Sequence, residues 1–185
     1  MRTFDELWIS SIIGVLIFTS PLLLLKIHSD YKKIAELSKI GVVFAFILFS
    51  LFGMAIVNTA LFTRWVFAPD NILYKVFGYA FMLIGLIIMA EAFVEFRSFK
   101  RVASLKADKV ISTGVYRFSR NPQYLAYYLL LIGFSFPHRS VFAFILILIH
   151  IIFVEVIFIS GEERYLEKSL GDEYLQYKKR VRRWI

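Results

Sequence analysis

The chain has 185 residues, of which 59% are hydrophobic and 18% aromatic, with a mean hydropathy of +0.68 and a formal net charge of +8. These values predict an all-α integral membrane protein that forms a single membrane domain over residues 1–185. A chain of this size leaves no room for a separate soluble catalytic domain, and the absence of cysteine excludes disulfides, thiolate metal sites and thiol nucleophiles.

Five apolar stretches predict five membrane-spanning helices. In chain order they are Leu7–Leu25, Ile40–Phe62, Ile72–Phe96, Pro122–Pro137 and Ser140–Ser160. Crossing a hydrocarbon core takes about 20 helical residues, and the fourth stretch spans only about 24 Å at 1.5 Å per residue. We therefore expect the fourth helix to be extended by the preceding loop or to lie deep beside other helices. The first stretch is interpreted as a retained helix, because acidic residues precede it and no small-residue cleavage site follows.

The basic residues predict the orientation of these helices. Eighteen of the 22 Lys and Arg residues follow the first, third or fifth stretch, and four lie on the opposite side. The positive-inside rule then places the N-terminus outside and the C-terminus in the cytoplasm. Most of these basic side chains are expected to contact anionic lipid headgroups. Nucleic acid is not an expected partner, and the histidines lack metal-ligand spacing, so no metal site is predicted.

Two polar segments on the predicted cytoplasmic side are more ordered than lipid anchoring requires. The first, "TGVYRFSRNPQYLAYY" at residues 113–128, has a glycine for a tight turn and Pro122 for the first turn of a helix. Its spacing places Tyr124, Tyr127 and Tyr128 on one helical face.

The second segment, residues 161–185, predicts cytoplasmic amphipathic helices. Apolar and aromatic residues repeat there at spacings of three and four, and Gly171–Asp172 predicts a C-cap followed by a new N-cap. By itself this pattern is typical of interfacial helices, with Trp184 and the arginines at the level of the headgroups.

Together the two segments resemble the integral membrane methyltransferases, the isoprenylcysteine carboxyl methyltransferase and phospholipid N-methyltransferase relatives. The resemblance rests on a pattern Gly-x-Tyr-Arg-x-x-Arg-[His/Asn]-Pro-x-Tyr-Leu followed by Glu-Glu-x-x-Leu-x-x-x-x-Gly-x-x-Tyr-x-x-Tyr. It divides the chain into a three-helix part, 1–97, and a methyltransferase-like part, 98–185. The matching residues are Gly114, Tyr116, Arg117, Arg120, Asn121, Pro122, Tyr124, Leu125, Glu162, Glu163, Leu166, Gly171, Tyr174 and Tyr177.

The resemblance implies a cytoplasm-facing pocket for S-adenosylmethionine and a lipidic or prenylated acceptor. The catalytic candidates are Arg120, Asn121 and Glu163. The candidate cofactor-binding residues are Tyr116, Arg117, Arg120, Asn121, Pro122, Tyr124, Leu125, Glu162, Glu163, Tyr174 and Tyr177.

The chemistry of these side chains suits S-adenosylmethionine independently of the resemblance. Carboxylates suit its ammonium group, arginines its carboxylate, amide and phenol groups its ribose, and aromatic faces its sulfonium. Family members most often have histidine where this chain has Asn121, which cannot take a proton near neutral pH. Because the rim is rich in arginine and lacks this base, the sequence favours a carboxylate acceptor over an amine.

Two other interpretations remain open from the sequence. A reductase that binds a nicotinamide cofactor is one, since sterol reductases resemble the same C-terminal architecture, and a non-catalytic lipid-binding protein is the other. The sequence also leaves open whether Glu91 and Glu155 line the pocket or pair with other residues. His150 is expected to hydrogen-bond between helices, and Glu95 to reach the membrane surface.

Overall fold

The computed structural model describes residue 14 and the segments 21–32, 37–62, 65–96 and 109–185. These segments are almost entirely helical. The helices are α1 (residues 21–32), α2 (Lys39–Phe62), α3 (Ile72–Phe96), α4 (Pro122–His138), α5 (Val141–Phe153), α6 (Ser160–Leu170) and α7 (Asp172–Arg180). A 3-10 turn over Gly114–Arg117 precedes α4, and a π-helical segment, Val154–Ile159, joins α5 to α6. The predicted all-α class is confirmed.

Three of the described helices are long and apolar enough to cross a membrane: Lys39–Phe62, Ile72–Glu95 and Val141–Leu170. They correspond to the second, third and fifth predicted stretches. The fourth stretch forms α4, which has 17 residues and is as short as expected. Most of the first stretch, Leu7–Leu25, lies outside the described residues. The count of five spans and the orientation of the termini therefore stay predictions.

Helices α3 and α4 pack against each other at backbone contact distance. A Cβ atom on Gly78 would lie 2.6 Å from the carbonyl oxygen of Gly133, and a Cβ on Gly133 would lie 2.6 Å from the carbonyl oxygen of Gly78. Small residues allow this close approach, which is a common way to pack helices in lipid. The outer face of α3 is exposed along most of its length, as expected of a helix that contacts lipid.

Helix α2 packs on the other side of α4 and against α5, so the buried core lies among these three helices. Helix α1 contacts the opposite end of the chain. The ring of Tyr31 lies against Gly161 in α6, where a Cβ atom would come within 2.6 Å of the ring. This contact places the end of α1 beside the C-terminal helices.

The fifth predicted helix and the C-terminal amphipathic region form one continuous helical run. The chain passes from α5 through the π-helical segment into α6 without a turn. The break predicted at Gly171 is confirmed, because Gly171 has φ of 54° and separates α6 from α7. The predicted N-cap, Asp172, was wrong: Gly171 is the N-cap of α7, and Asp172 is its first helical residue.

Candidate active site

The Arg-Asn-Pro segment forms a short loop that leads directly into α4. Pro122 occupies the first turn of α4, where a missing backbone N–H costs nothing, and Asn121 precedes it with non-helical torsion angles. The backbone N–H of Asn121 donates to the Ser119 hydroxyl at 3.1 Å, which closes the turn. Tyr177 in α7 donates its hydroxyl to the carbonyl oxygen of Tyr116 at 2.8 Å. Helix α7 is thereby attached to this loop.

The end of the chain returns to the same loop. The backbone N–H of Arg120 donates to the carbonyl oxygen of Arg182 at 3.0 Å. The carbonyl oxygen of Arg183 accepts from both Ser119 Oγ at 3.2 Å and Asn121 Nδ2 at 3.1 Å. Asn121 is buried and uses its amide donor to hold the C-terminal residues, a structural contact that the sequence did not predict.

Four charged side chains meet behind this loop, and we call them the ionic cluster: Arg120, Glu155, Glu163 and Arg183. Arg183 donates to both oxygens of Glu163, at 3.1 Å and 2.5 Å, and its Nη1 donates to Glu155. Arg120 Nη1 lies 3.1 Å from Glu163 Oε1. The side chains of Arg120 and Glu163 are only 8% and 6% exposed, so this pair is shielded from water.

Arg120 keeps unused donors within this cluster. Its contact with Glu163 lacks hydrogen-bond geometry, and within the described part of the chain neither Nε nor Nη1 has a hydrogen-bond partner. A buried guanidinium with free N–H groups is costly, because each unpaired donor loses its water without replacement. Such a group suits a ligand that brings its own carboxylate or phosphate.

Glu162 faces away from the ionic cluster although it is the neighbour of Glu163. Its Oε1 accepts a hydrogen bond from the Tyr124 hydroxyl at 3.0 Å. Adjacent helical residues point about 100° apart, since a helix has 3.6 residues per turn. The preceding π-helical segment adds to the rotation of α6 relative to α5, and such segments are frequent at functional sites.

Glu162 and Tyr124 line an apolar cavity of about 420 Å³. The cavity lies among α2, α4 and the start of α6, with one residue from α3, and Gln123, next to Tyr124 in the chain, adds another polar side chain. The remaining walls are mainly apolar and come from Leu37, Val42, Ala45, Phe46, Phe49, Gly53, Met54, Met89, Tyr127 and Phe158, with Ser50 among them. Phe46 and Met54 are 47% and 54% exposed on the outer surface, so the cavity borders the lipid-facing side of α2.

Three buried tyrosines surround the loop outside the membrane-spanning segments. Burial raises the pKa of the Tyr116, Tyr174 and Tyr177 phenols above the ordinary value, so these hydroxyls stay neutral donors at physiological pH. Tyr116 donates to Gln123 Oε1 at 3.0 Å, and Tyr174 lies beside the Arg120 guanidinium. None of these three residues lines the apolar cavity.

The predicted site residues thus divide into two groups. Tyr124 and Glu162 line the cavity, while Arg120, Asn121, Glu163, Tyr174 and Tyr177 surround the ionic cluster together with Tyr116 and Pro122. Arg117 is exposed, with its guanidinium 5.5 Å from the centre of the Phe118 ring, and Leu125 is half-buried on α4. The structure does not bring Arg117 into either group.

Two sets of residues were not predicted from the sequence. Arg183 and Trp184 were predicted to lie at the level of the lipid headgroups, but both donate to Glu155, with Trp184 Nε1 at 3.1 Å from Oε2. The sequence of a basic segment does not show which arginine pairs with a carboxylate and which contacts lipid headgroups. The α2 wall of the cavity was also not predicted, because a uniformly apolar helix does not show which face lines a cavity. Gln123 could have been noticed, since it lies inside the recognised pattern.

The intramembrane polar residues left open by the sequence have distinct environments. Glu155 belongs to the ionic cluster, and Glu91 is exposed on α3. Glu95 accepts a hydrogen bond from the Thr113 hydroxyl at 2.5 Å, which ties the end of α3 to the Arg-Asn-Pro segment. His150 is fully buried and lies 3.3 Å from the Tyr128 hydroxyl, consistent with the interhelical contact that was expected.

Comparison with known proteins agrees with this architecture. The family model for phospholipid methyltransferases matches residues 73–173, more than half of the chain. An "Uncharacterized protein" of Haemophilus influenzae is 37% identical over 62 residues, which cover 34% of this chain and 98% of that protein. No solved structure gives a significant match. The matched region runs from α3 to the start of α7 and includes both Arg120 and the two adjacent glutamates, and the chain belongs to the phospholipid methyltransferase family.

Proposed function

We propose that the protein transfers a methyl group from S-adenosylmethionine to an amphiphile that enters the apolar cavity from the membrane. This proposal rests mainly on the cavity of about 420 Å³, whose polar lining includes Glu162, Tyr124 and Gln123. Membership of the phospholipid methyltransferase family supports the reaction type. Ligand sites of this kind are mostly apolar, with a few polar groups that fix orientation.

The ionic cluster supports a neighbouring site for the methyl donor. Arg120 has unused N–H groups that suit the carboxylate of S-adenosylmethionine, and Tyr174 lies beside it. When bound, the cofactor supplies an electrophilic methyl group on sulfur. The chain's own contribution is then to hold the acceptor in line with that methyl group and to exclude water.

The cavity charges favour an amine acceptor over the carboxylate expected from the arginine-rich sequence. Among the cavity-lining residues described, Glu162 is the only charged side chain, while Arg120 and Arg183 contact Glu163 on the other side of α6. A carboxylate beside Glu162 would be repelled, whereas an ammonium would be attracted. Attack on the methyl group requires a neutral nitrogen, and Glu162 is placed to accept the proton that the ammonium loses.

Ligand titration tests the donor half of this proposal. Full-length protein in detergent is titrated with S-adenosylhomocysteine and, as a control, with NADPH, the cofactor expected of a sterol-reductase-like enzyme. We expect binding of S-adenosylhomocysteine alone. Binding of NADPH without S-adenosylhomocysteine would contradict the proposal and favour the reductase.

Acceptor competition tests the other half. Labelled S-adenosylmethionine is offered with a two-chain lipid bearing a primary amine, with the same headgroup lacking its chains, and with a fatty acid. We expect label to be transferred to the amine lipid at least about tenfold faster than to either alternative, because proximity depends on tail burial in the cavity. Equal rates with and without chains would contradict entry from the membrane, and preferential labelling of the fatty acid would restore the carboxylate acceptor.

A further inference from the structure

The last residues of the chain contact the proposed donor site at side-chain level, beyond the end of the family match at residue 173. Arg183 is the central residue of this contact. Its guanidinium donates through Nε and Nη2 to the two oxygens of Glu163 and through Nη1 to Glu155. Its backbone carbonyl is held by Ser119 and Asn121. These contacts fix both the main chain and the side chain of Arg183.

The geometry of Arg183 is specific to a guanidinium. Each of its three nitrogens donates to a different carboxylate oxygen. The guanidinium thereby bridges Glu155 in the π-helical segment and Glu163 in α6. Hydrogen bonds to both glutamates raise the pKa of Arg183, so it stays charged. An ammonium presents a point charge and does not reproduce this planar fork.

The charges of the ionic cluster balance only when Arg183 is counted. Glu155 and Glu163 contribute two negative charges, and Arg120 and Arg183 contribute two positive charges. Lys178 also lies 3.7 Å from Glu163, but its closer contact is with Glu167 at 2.6 Å. Without Arg183, the buried Glu163 carboxylate would draw the guanidinium of Arg120 into a full hydrogen-bonded pair, because an unpaired buried charge is costly.

We propose that Arg183 is a positioning residue for the methyl donor. By pairing with Glu163 and Glu155, it leaves Nε of Arg120, which has no hydrogen-bond partner within the described part of the chain, for the carboxylate at the amino-acid end of the donor. This inference rests on the proposed function, since it assigns a role within the S-adenosylmethionine site. It also gives a reason why Asn121 and Ser119 in the Arg-Asn-Pro loop donate to the backbone carbonyl of Arg183.

Two ligands separate this role from a merely structural one. S-adenosylhomocysteine carries the amino-acid carboxylate, and 5′-methylthioadenosine has the same nucleoside without it. In Arg183→Met, calorimetry with full-length protein in detergent should show S-adenosylhomocysteine binding about tenfold weaker or worse, as expected for loss of a charge-assisted contact. Affinity for 5′-methylthioadenosine should change less than about twofold.

Arg182→Met is the matched control, because the Arg182 side chain is exposed and its backbone carbonyl, which accepts from Arg120, is retained. It should bind both ligands like the wild type. Should Arg183→Met not fold, Arg183→Lys keeps the charge and is expected to show the same selective weakening, several-fold in size. Wild-type affinity in the Arg183 variants that fold, or equal weakening for both ligands, would overturn the inference while the proposed function stands. Failure of the wild type to bind S-adenosylhomocysteine would instead overturn the proposed function, and this inference with it.

Discussion

Glu162 and Glu163 are adjacent in the chain but belong to two regions with different electrostatics. On the cavity side, Glu162 accepts one hydrogen bond from a tyrosine and lines an apolar cavity. On the cluster side, Glu163 is buried and contacts two arginines and a lysine. The buried Glu163 carboxylate joins three basic side chains, whereas the Glu162 carboxylate lines a cavity. The pair shows how a single Glu-Glu dipeptide supplies both kinds of group.

The largest expected effect on stability comes from removing a charge of the ionic cluster. Glu163→Ala leaves Arg120 buried without its partner and frees one side of Arg183, so we expect a loss of roughly 3 kcal/mol of unfolding free energy. Thermal unfolding in detergent, followed by circular dichroism, measures the change. Glu162→Ala is the matched control and should cost less, because Glu162 lines a cavity while the Glu163 side chain is 6% exposed and contacts two arginines. Similar losses in the two variants would show that the carboxylates are not divided between the regions.

The next prediction concerns the cavity side. Glu162→Gln keeps an acceptor for the Tyr124 hydroxyl but removes the charge, and we expect methyl transfer to the amine lipid to fall roughly 100-fold, the size typical of losing a general base. The midpoint of thermal unfolding should stay unchanged. Wild-type turnover in this variant would exclude Glu162 as the proton acceptor.

A third variant tests whether the acceptor lipid binds in the cavity. Ser50 lines the cavity from α2, so the bulky ring of Ser50→Trp should obstruct it and raise the KM for the amine lipid about tenfold. The affinity for S-adenosylhomocysteine should not change, because the proposed donor site lies in the other region. Ile47→Trp is the control, since Ile47 is exposed on the same helix and does not line the cavity. A weaker donor affinity in Ser50→Trp would show that the two sites overlap.

The smallest effect is expected at the attachment of α7. Tyr177→Phe removes the hydrogen bond to the Tyr116 carbonyl and should cost about 1 kcal/mol of unfolding free energy at pH 7. Burial raises the pKa of Tyr177, so folding favours the neutral phenol. This stabilisation is fully present below the unfolded value of about 10 and is lost as the pH rises above it. The difference between wild type and variant, measured by thermal unfolding, should therefore shrink above pH 10; a constant difference would contradict the assignment.

The helices were largely predictable because their signals are local. Long, mainly apolar runs predicted α2 and α3, Pro122 marked the start of α4, and Gly171 marked the break before α7. The continuous passage from α5 into α6 was not predicted. The fifth stretch was predicted to end at Ser160 and a separate amphipathic segment to follow at 161–185, whereas a π-helical segment carries the helix on into α6.

The sequence named part of the candidate site but not its division into two groups. Sequence alone identified membrane residence, short helix α4, and the Arg-Asn-Pro and Glu-Glu segments, since hydropathy, proline geometry and residue spacing are properties of the chain itself. Only the tertiary structure decided that Glu162 faces a cavity while Glu163 faces arginines, and that Arg183 returns to pair with both Glu163 and Glu155. The physical reason is that helix rotation, the α2 wall and the path of the last residues depend on packing between distant segments. A pattern of neighbouring residues does not contain that information.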